Sequence, residues 1–172
     1  RLLKKYPQRI GITIGDVAGI GPEITLKALL DKSIKEVCLP IIIGDASYLK
    51  RLAKDLGLLV ELESFKETEE IPQYSDKLIC LDLANVNADI ELGIESAITG
   101  KASAEYIEKA VQLCLENKID AIATAPISKK ALSLAGYNFP GHTEMLAKLT
   151  NTKDFAMSFF AGDLRVVLLS TH

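Results

Sequence analysis

At 172 residues the chain has room for one α/β domain, or for one domain and part of a second. It is 48% hydrophobic and 25% charged, a globular composition, and its formal charge of −3 offers no basic footprint for nucleic acid. The longest apolar runs are too short to cross a bilayer, and the basic start RLLKKYPQRI lacks the apolar stretch of a secretory signal.

Arg9–Ile14 places Ile10, Ile12 and Ile14 on one face and ends at Gly15, which predicts a short strand. Gly15–Gly21 is a loop. Pro22 followed by Glu23 opens a helix to about Leu30, because proline fits the first helical position and an acid suits the first turn. Val37–Ile43 is a continuous apolar run, the pattern of a strand covered on both faces. Ala46–Leu56 reads as a helix stopped by Gly57, Leu58–Phe65 as a short strand, and Lys66–Lys77 as a polar loop carrying Pro72. Leu78–Leu83 is a second buried strand.

Asn85–Gly100 is either an exposed arm or a long active-site loop. Ser103–Asn117 then shows apolar residues at helical spacing, Ile107, Val111, Cys114 and Leu115. Ile119–Thr124 is read as a third buried strand, and Ser128–Leu134 and Thr143–Leu149 as helices. Phe155–Ala161 and Leu164–Ser170 form two strands joined at Gly162-Asp163. Alternation of strand and helix through the first 125 residues argues an α/β layered fold. The closing hairpin breaks that rhythm, so residues 1–127 are expected to form a first lobe and 128–172 the start of a second. Cys38, Cys80 and Cys114 lie in apolar segments without a CxxC pair, as buried thiols of a reducing cytoplasm would. Beginning at Arg1 rather than Met, the chain is expected to be a processed or partial one.

Four segments carry candidate chemistry. Gly15-Asp16-Val17-Ala18-Gly19-Ile20-Gly21-Pro22-Glu23 puts three glycines between a strand and a helix N-terminus, where backbone N–H groups can approach an anion; a tight structural turn explains the same spacing. It fits neither a dinucleotide fingerprint nor a Walker phosphate loop. Asp16 is its one residue singled out for chemistry. In Thr124-Ala125-Pro126-Ile127-Ser128-Lys129-Lys130, Lys129 is placed to meet a phosphate or carboxylate or to donate a proton, though most lysines are simply solvated.

The only two histidines are His142 and His172. His142 lies in Pro140-Gly141-His142-Thr143-Glu144, where Gly141 permits close backbone approach and Thr143 can cap a helix. His172 follows the apolar run Val166–Leu169 at the end of the chain. A zinc-like site there needs two further ligands, which this chain does not supply.

In the order GDVAGIGPEI, TAPISKKAL, AGYNFPGHTEML and VVLLSTH, these segments resemble the amino-terminal half of the 4-hydroxythreonine-4-phosphate dehydrogenase family of pyridoxal phosphate biosynthesis. The resemblance runs from Ile10 to His172. It implies a three-layer α/β/α lobe similar to isocitrate and isopropylmalate dehydrogenases, with the start of a second lobe. It also implies NAD-dependent (or NADP-dependent) oxidation and decarboxylation of 4-phosphooxy-L-threonine to 3-amino-2-oxopropyl phosphate. A divalent ion (Zn, Mg or Co), a cytoplasmic homodimer and a small phosphorylated substrate complete the expectation.

Carried over by position, His142 and Thr143 bind substrate, His172 is the first of three metal-binding histidines, and Lys129 and Asp16 lie at the cleft as catalytic candidates. Val17 stands where the family commonly has proline, a change expected to loosen the loop. Family members are about twice this long, more than one typical domain. The remaining metal ligands and much of the cofactor pocket are therefore expected beyond His172, and the chain alone is expected to be inactive. Two alternatives remain open: a dehydrogenase of another 4-phosphorylated hydroxy acid of the threonate or erythronate type, and a stand-alone anion-binding module.

Overall fold

The computed structural model describes residues 7–66, 70–86 and 89–169. Its elements are β1 (Gln8–Thr13), α1 (Gly21–Leu29), α2 (Lys32–Val37), β2 (Cys38–Gly44), α3 (Ala46–Asp55), β3 (Leu62–Phe65) and β4 (Leu78–Asp82). They continue with α4 (Ala97–Leu115), β5 (Ala121–Thr124), α5 (Lys129–Leu134), α6 (His142–Leu149), β6 (Ser158–Ala161) and β7 (Leu164–Val167).

Five strands form one parallel sheet in the order β3-β4-β2-β1-β5, with Ile12 opposite Ile42 on one side and Ala123 on the other. From β1 the chain first moves toward β2, then returns from β4 past β1 to β5. Right-handed crossovers therefore put α1 and α3 on one face and α4 on the opposite face. Helix, sheet and helix make the α/β layered architecture that alternating elements predicted.

The apolar pattern explains the core. Ile41, Ile42 and Ile43 of β2 are each 0% exposed, because the strand is paired on both edges and covered on both faces. Leu26 and Leu29 of α1 and Leu49 of α3 join them from one side, and Tyr106, Ala110 and Leu113 of α4 from the other. Each such aliphatic side chain contributes about 1.5–3 kcal/mol on leaving water. A second cluster lies on the outer side of α4, where Ala104, Ile107 and Val111 meet Leu132 of α5 and Met145 of α6. Helix α4 thus has two apolar stripes, one for the sheet and one for the two short helices that carry the candidate site.

Three expectations change. The helix expected from Ser103 begins at Ala97, six residues earlier. Ser96 caps it by accepting from Thr99 N, and the Thr99 hydroxyl reaches back to Ser96 N, a reciprocal capping box. Helix α2 was not foreseen; it is one and a half turns long, buries none of its residues, and owes its start to Asp31 accepting from Ser33 N. The strand read as buried at Ile119–Thr124 is β5, the last strand of the sheet, with Ala121, Ala123 and Thr124 exposed along an edge. Strands β6 and β7 pair antiparallel around Gly162 as expected, with every side chain exposed.

Candidate functional site

The sheet order reverses between β1 and β5, and the loops leaving those two strands open at one carboxyl edge. Such a switch point is where open α/β sheets bind ligands. A cleft of about 320 Å³ lies there, lined among others by Asp16, Gly19, Gly93, Glu95, Pro126 and Ser128.

Its first wall is the glycine loop. Gly15 turns it with φ +71°, and a Cβ at that residue would lie 2.1 Å from Pro126 O, so only glycine lets the β1 and β5 loops touch. Asp16 N donates to Pro126 O at 3.0 Å, sealing the contact. The Asp16 carboxylate is 5% exposed and its Oδ1 accepts Ala18 N–H at 2.9 Å, while Gly19 N donates to Asp16 O. Asp16 therefore builds the turn as well as lining the cleft. Val17, expected to loosen this loop, is anchored instead: its side chain is 0% exposed and its carbonyl accepts the Tyr48 hydroxyl at 2.6 Å.

The second wall is the turn into α5. Ser128 caps that helix by accepting Ala131 N–H, and its own hydroxyl donates to Glu95 Oε1 at 2.5 Å. Lys130 Nζ lies 3.1 Å from Glu95 Oε2. The Ser128 hydroxyl and the Lys130 ammonium hold the Glu95 carboxyl below the usual carboxylate range. The stretch left undecided between Asn85 and Gly100 supplies Glu95, and it touches the first wall as well, with Gly93 N donating to Ala18 O at 2.7 Å. Among its described residues it is a strap across the cleft mouth. Sequence reasoning missed Glu95; the one available signal was its place directly before a Ser-x-x-Thr helix start.

The His142 turn is a neighbouring element, and its residues are not among those lining that cleft. Helix α6 begins after Gly141, which has no side chain to cap it, so its first-turn N–H groups, beside Thr143 and Glu144, have no side-chain cap. A Cβ on Gly141 would lie 3.6 Å from Glu144 Oε2 and 4.0 Å from Lys129 Cε, which places both the Glu144 carboxylate and Lys129 against this turn. His142 Nε2 is buried and has no hydrogen-bond partner among the described residues, the condition in which a ligand group would complete it. Burial holds the His142 imidazole below its ordinary pKa. The structure thus brings Lys129 to the His142 turn, and separately Asp16 to Ser128 across the cleft; Lys129, His142 and Thr143 are not among the residues lining it. His172 lies outside the described residues.

That shift has a measurable consequence. The folded state resists protonating His142, so below about 6.5, the ordinary imidazole value, the unfolded chain binds more protons. The stability linked to neutral His142 is full above that pH and declines as pH falls through the lower, folded value. Urea midpoints at pH 7.5 and 5.0 should therefore differ more for the native protein than for a His142→Gln variant. An identical difference in both would contradict the burial of the imidazole.

A parallel sheet with a glycine loop and the turn before Lys129 at its carboxyl-edge crevice defines an α/β protein with a ligand-sized cleft at the switch point of its sheet. The chain belongs to the family of the pyridoxal phosphate biosynthetic protein PdxA, whose family model matches residues 36–172. It is 42% identical over 170 residues to the D-threonate 4-phosphate dehydrogenase of Cupriavidus necator, covering 99% of this chain and 51% of that protein.

Its fold is similar to that of a 4-hydroxythreonine-4-phosphate dehydrogenase from Burkholderia phymatum, with TM-score 0.88 and 40% identity, over 95% of this chain and 49% of the other. The corresponding figures for the Klebsiella pneumoniae 4-hydroxythreonine-4-phosphate dehydrogenase are 0.81, 32%, 96% and 50%. The chain spans about half the length of the relatives it matches. Among the described residues, no helix is long and apolar enough to cross a membrane.

Proposed function

We propose that the chain is the amino-terminal half of a cytoplasmic, homodimeric dehydrogenase that oxidises the secondary alcohol of a 4-phosphorylated hydroxy acid with NAD or NADP as acceptor. The observation that carries this reading is the His142 turn, an uncapped helix start with an unpartnered imidazole nitrogen beside Lys129. Uncapped N–H groups, a hydroxyl and an ammonium suit an anionic, hydroxyl-bearing substrate, and the Glu144 carboxylate at the same turn is an acceptor for its hydroxyl end.

The substrate favoured is D-threonate 4-phosphate, after the name of the Cupriavidus necator relative. The first-named expectation, 4-phosphooxy-L-threonine, is kept second because two solved structures bear the name of its dehydrogenase.

In this reading His142 and Thr143 bind the substrate. Lys129 neutralises its charge or, in its neutral form, accepts the proton that the hydroxyl releases as hydride leaves. Asp16 keeps the glycine loop folded at the floor of the cleft, and its free carboxylate oxygen is the part left for chemistry. The nicotinamide supplies hydride acceptance when bound, and the chain supplies position and field.

A divalent ion does not fit the described residues alone, since no three His, Cys, Asp or Glu side chains among them converge. His172 as a metal ligand, and the division into lobes at 127/128, belong to the same proposal. Reduction of NAD by the full-length protein should occur with D-threonate 4-phosphate and fail with D-threonate, and the 172-residue chain alone should be inert. Turnover by the chain alone would refute the half-enzyme reading. Equal rates with and without the phosphate would refute the substrate class.

A further inference from the structure

We propose that Glu95 is a positioning residue that acts through Lys129, an inference that rests on the functional reading above for its kinetic consequence. One carboxylate holds the residues on both sides of that lysine: Oε1 accepts the Ser128 hydroxyl at 2.5 Å, and Oε2 pairs with Lys130 Nζ at 3.1 Å. Ser128 is the N-cap of α5 and Lys129 its first residue, so holding the Ser128 hydroxyl orients the turn from which Lys129 departs, and Lys130 adds a side-chain contact to it. The lysine is then aimed toward the Gly141 turn, where its Cε lies 4.0 Å from the place a Gly141 Cβ would occupy.

Glu95 is itself well anchored. The residue after it, Ser96, is the cap of α4, and Gly93 two residues earlier is bonded to Ala18 of the glycine loop. A single side chain therefore registers the lysine turn against the long helix and the opposite wall of the cleft together. Both Glu95 and Lys130 are solvent-accessible, 39% and 72% exposed, so their pair adds little to global stability. Its effect lies in the geometry of Lys129 instead.

The test is a double-mutant cycle in the full-length protein, with NAD reduction on D-threonate 4-phosphate as the readout. Glu95→Ala should lower kcat/KM by roughly tenfold, the scale of a small misplacement of a reacting group. Glu95→Gln keeps an acceptor for Ser128 and should recover part of the loss. In a Lys129→Ala background the same Glu95→Ala change should cost less than about twofold, because the residue it positions is gone.

A full tenfold loss in that background, or no loss in the native one, would overturn the proposal. If the native protein turns over none of the phosphorylated acids, the functional reading fails separately. The clamp is then read from amide exchange at 128–131 in the chain itself. Faster exchange in Glu95→Ala with unchanged exchange in β2 supports it, and equal rates at both places overturn it.

Discussion

Replacing Gly100 by alanine should destabilise the protein, although the same change in an ordinary helix interior stabilises by about 1 kcal/mol. Gly100 lies in the first turn and a half of α4, where the backbone of α5 crosses it. A Cβ there would sit 1.9 Å from Ala131 O and 2.2 Å from Ala131 C, both main-chain atoms with no side-chain freedom to yield. The helices must part, and the second cluster parts with them, since Leu132 and Met145 are each 0% exposed against Ala104 and Ile107. Overpacking of this kind costs roughly 1–3 kcal/mol and outweighs the gain in helix propensity. The midpoint of urea unfolding should fall. A midpoint that rises would show that α5 does not rest on α4, and the placement of the lysine and histidine turns would lose its support.

The second large effect is expected in catalysis. His142→Ala in the full-length protein removes the one buried imidazole nitrogen left without a partner among the described residues, on the turn proposed to meet the substrate. A hydrogen bond to a charged ligand group contributes about 1.5–3 kcal/mol, so kcat/KM should drop by roughly 10- to 150-fold. The thermal midpoint should move little, because the side chain is only half-buried and makes no internal hydrogen bond through that atom. Unchanged kinetics would remove His142 from the substrate site. A collapse of the thermal midpoint with proportional loss of activity would make it a structural residue.

The strands and most helices were legible because their signals are local. Ile41–Ile43 could only be a strand covered on both sides, and Pro22 with Glu23 announced α1 within one residue of its start. The start of α4 was hidden by composition, since Gly100 inside Ser96–Ser103 looks like a loop residue. Only the tertiary approach of α5 explains why glycine is there. The exposure of β5 was illegible for a different reason: an apolar strand reads the same whether or not it has a neighbour on its far edge.

At the site, Asp16, Lys129, His142 and Thr143 announced themselves as polar residues at strand ends and helix starts. The pairing of Lys129 with the His142 turn, and of Asp16 with Ser128, did not, because it depends on helix packing and on the order β3-β4-β2-β1-β5, which sequence periodicity does not encode. Glu95 escaped for the same reason, being 33 residues from the hydroxyl it accepts.

Everything proposed for the site depends on the phosphorylated acid binding at the His142 turn. The most direct measurement is the imidazole NMR signal of His142 in the full-length protein, assigned by its loss in a His142→Asn variant, during titration with D-threonate 4-phosphate. The account predicts a saturable shift of that signal, absent with D-threonate at equal concentration. A signal that stays fixed while the same sample reduces NAD would contradict it.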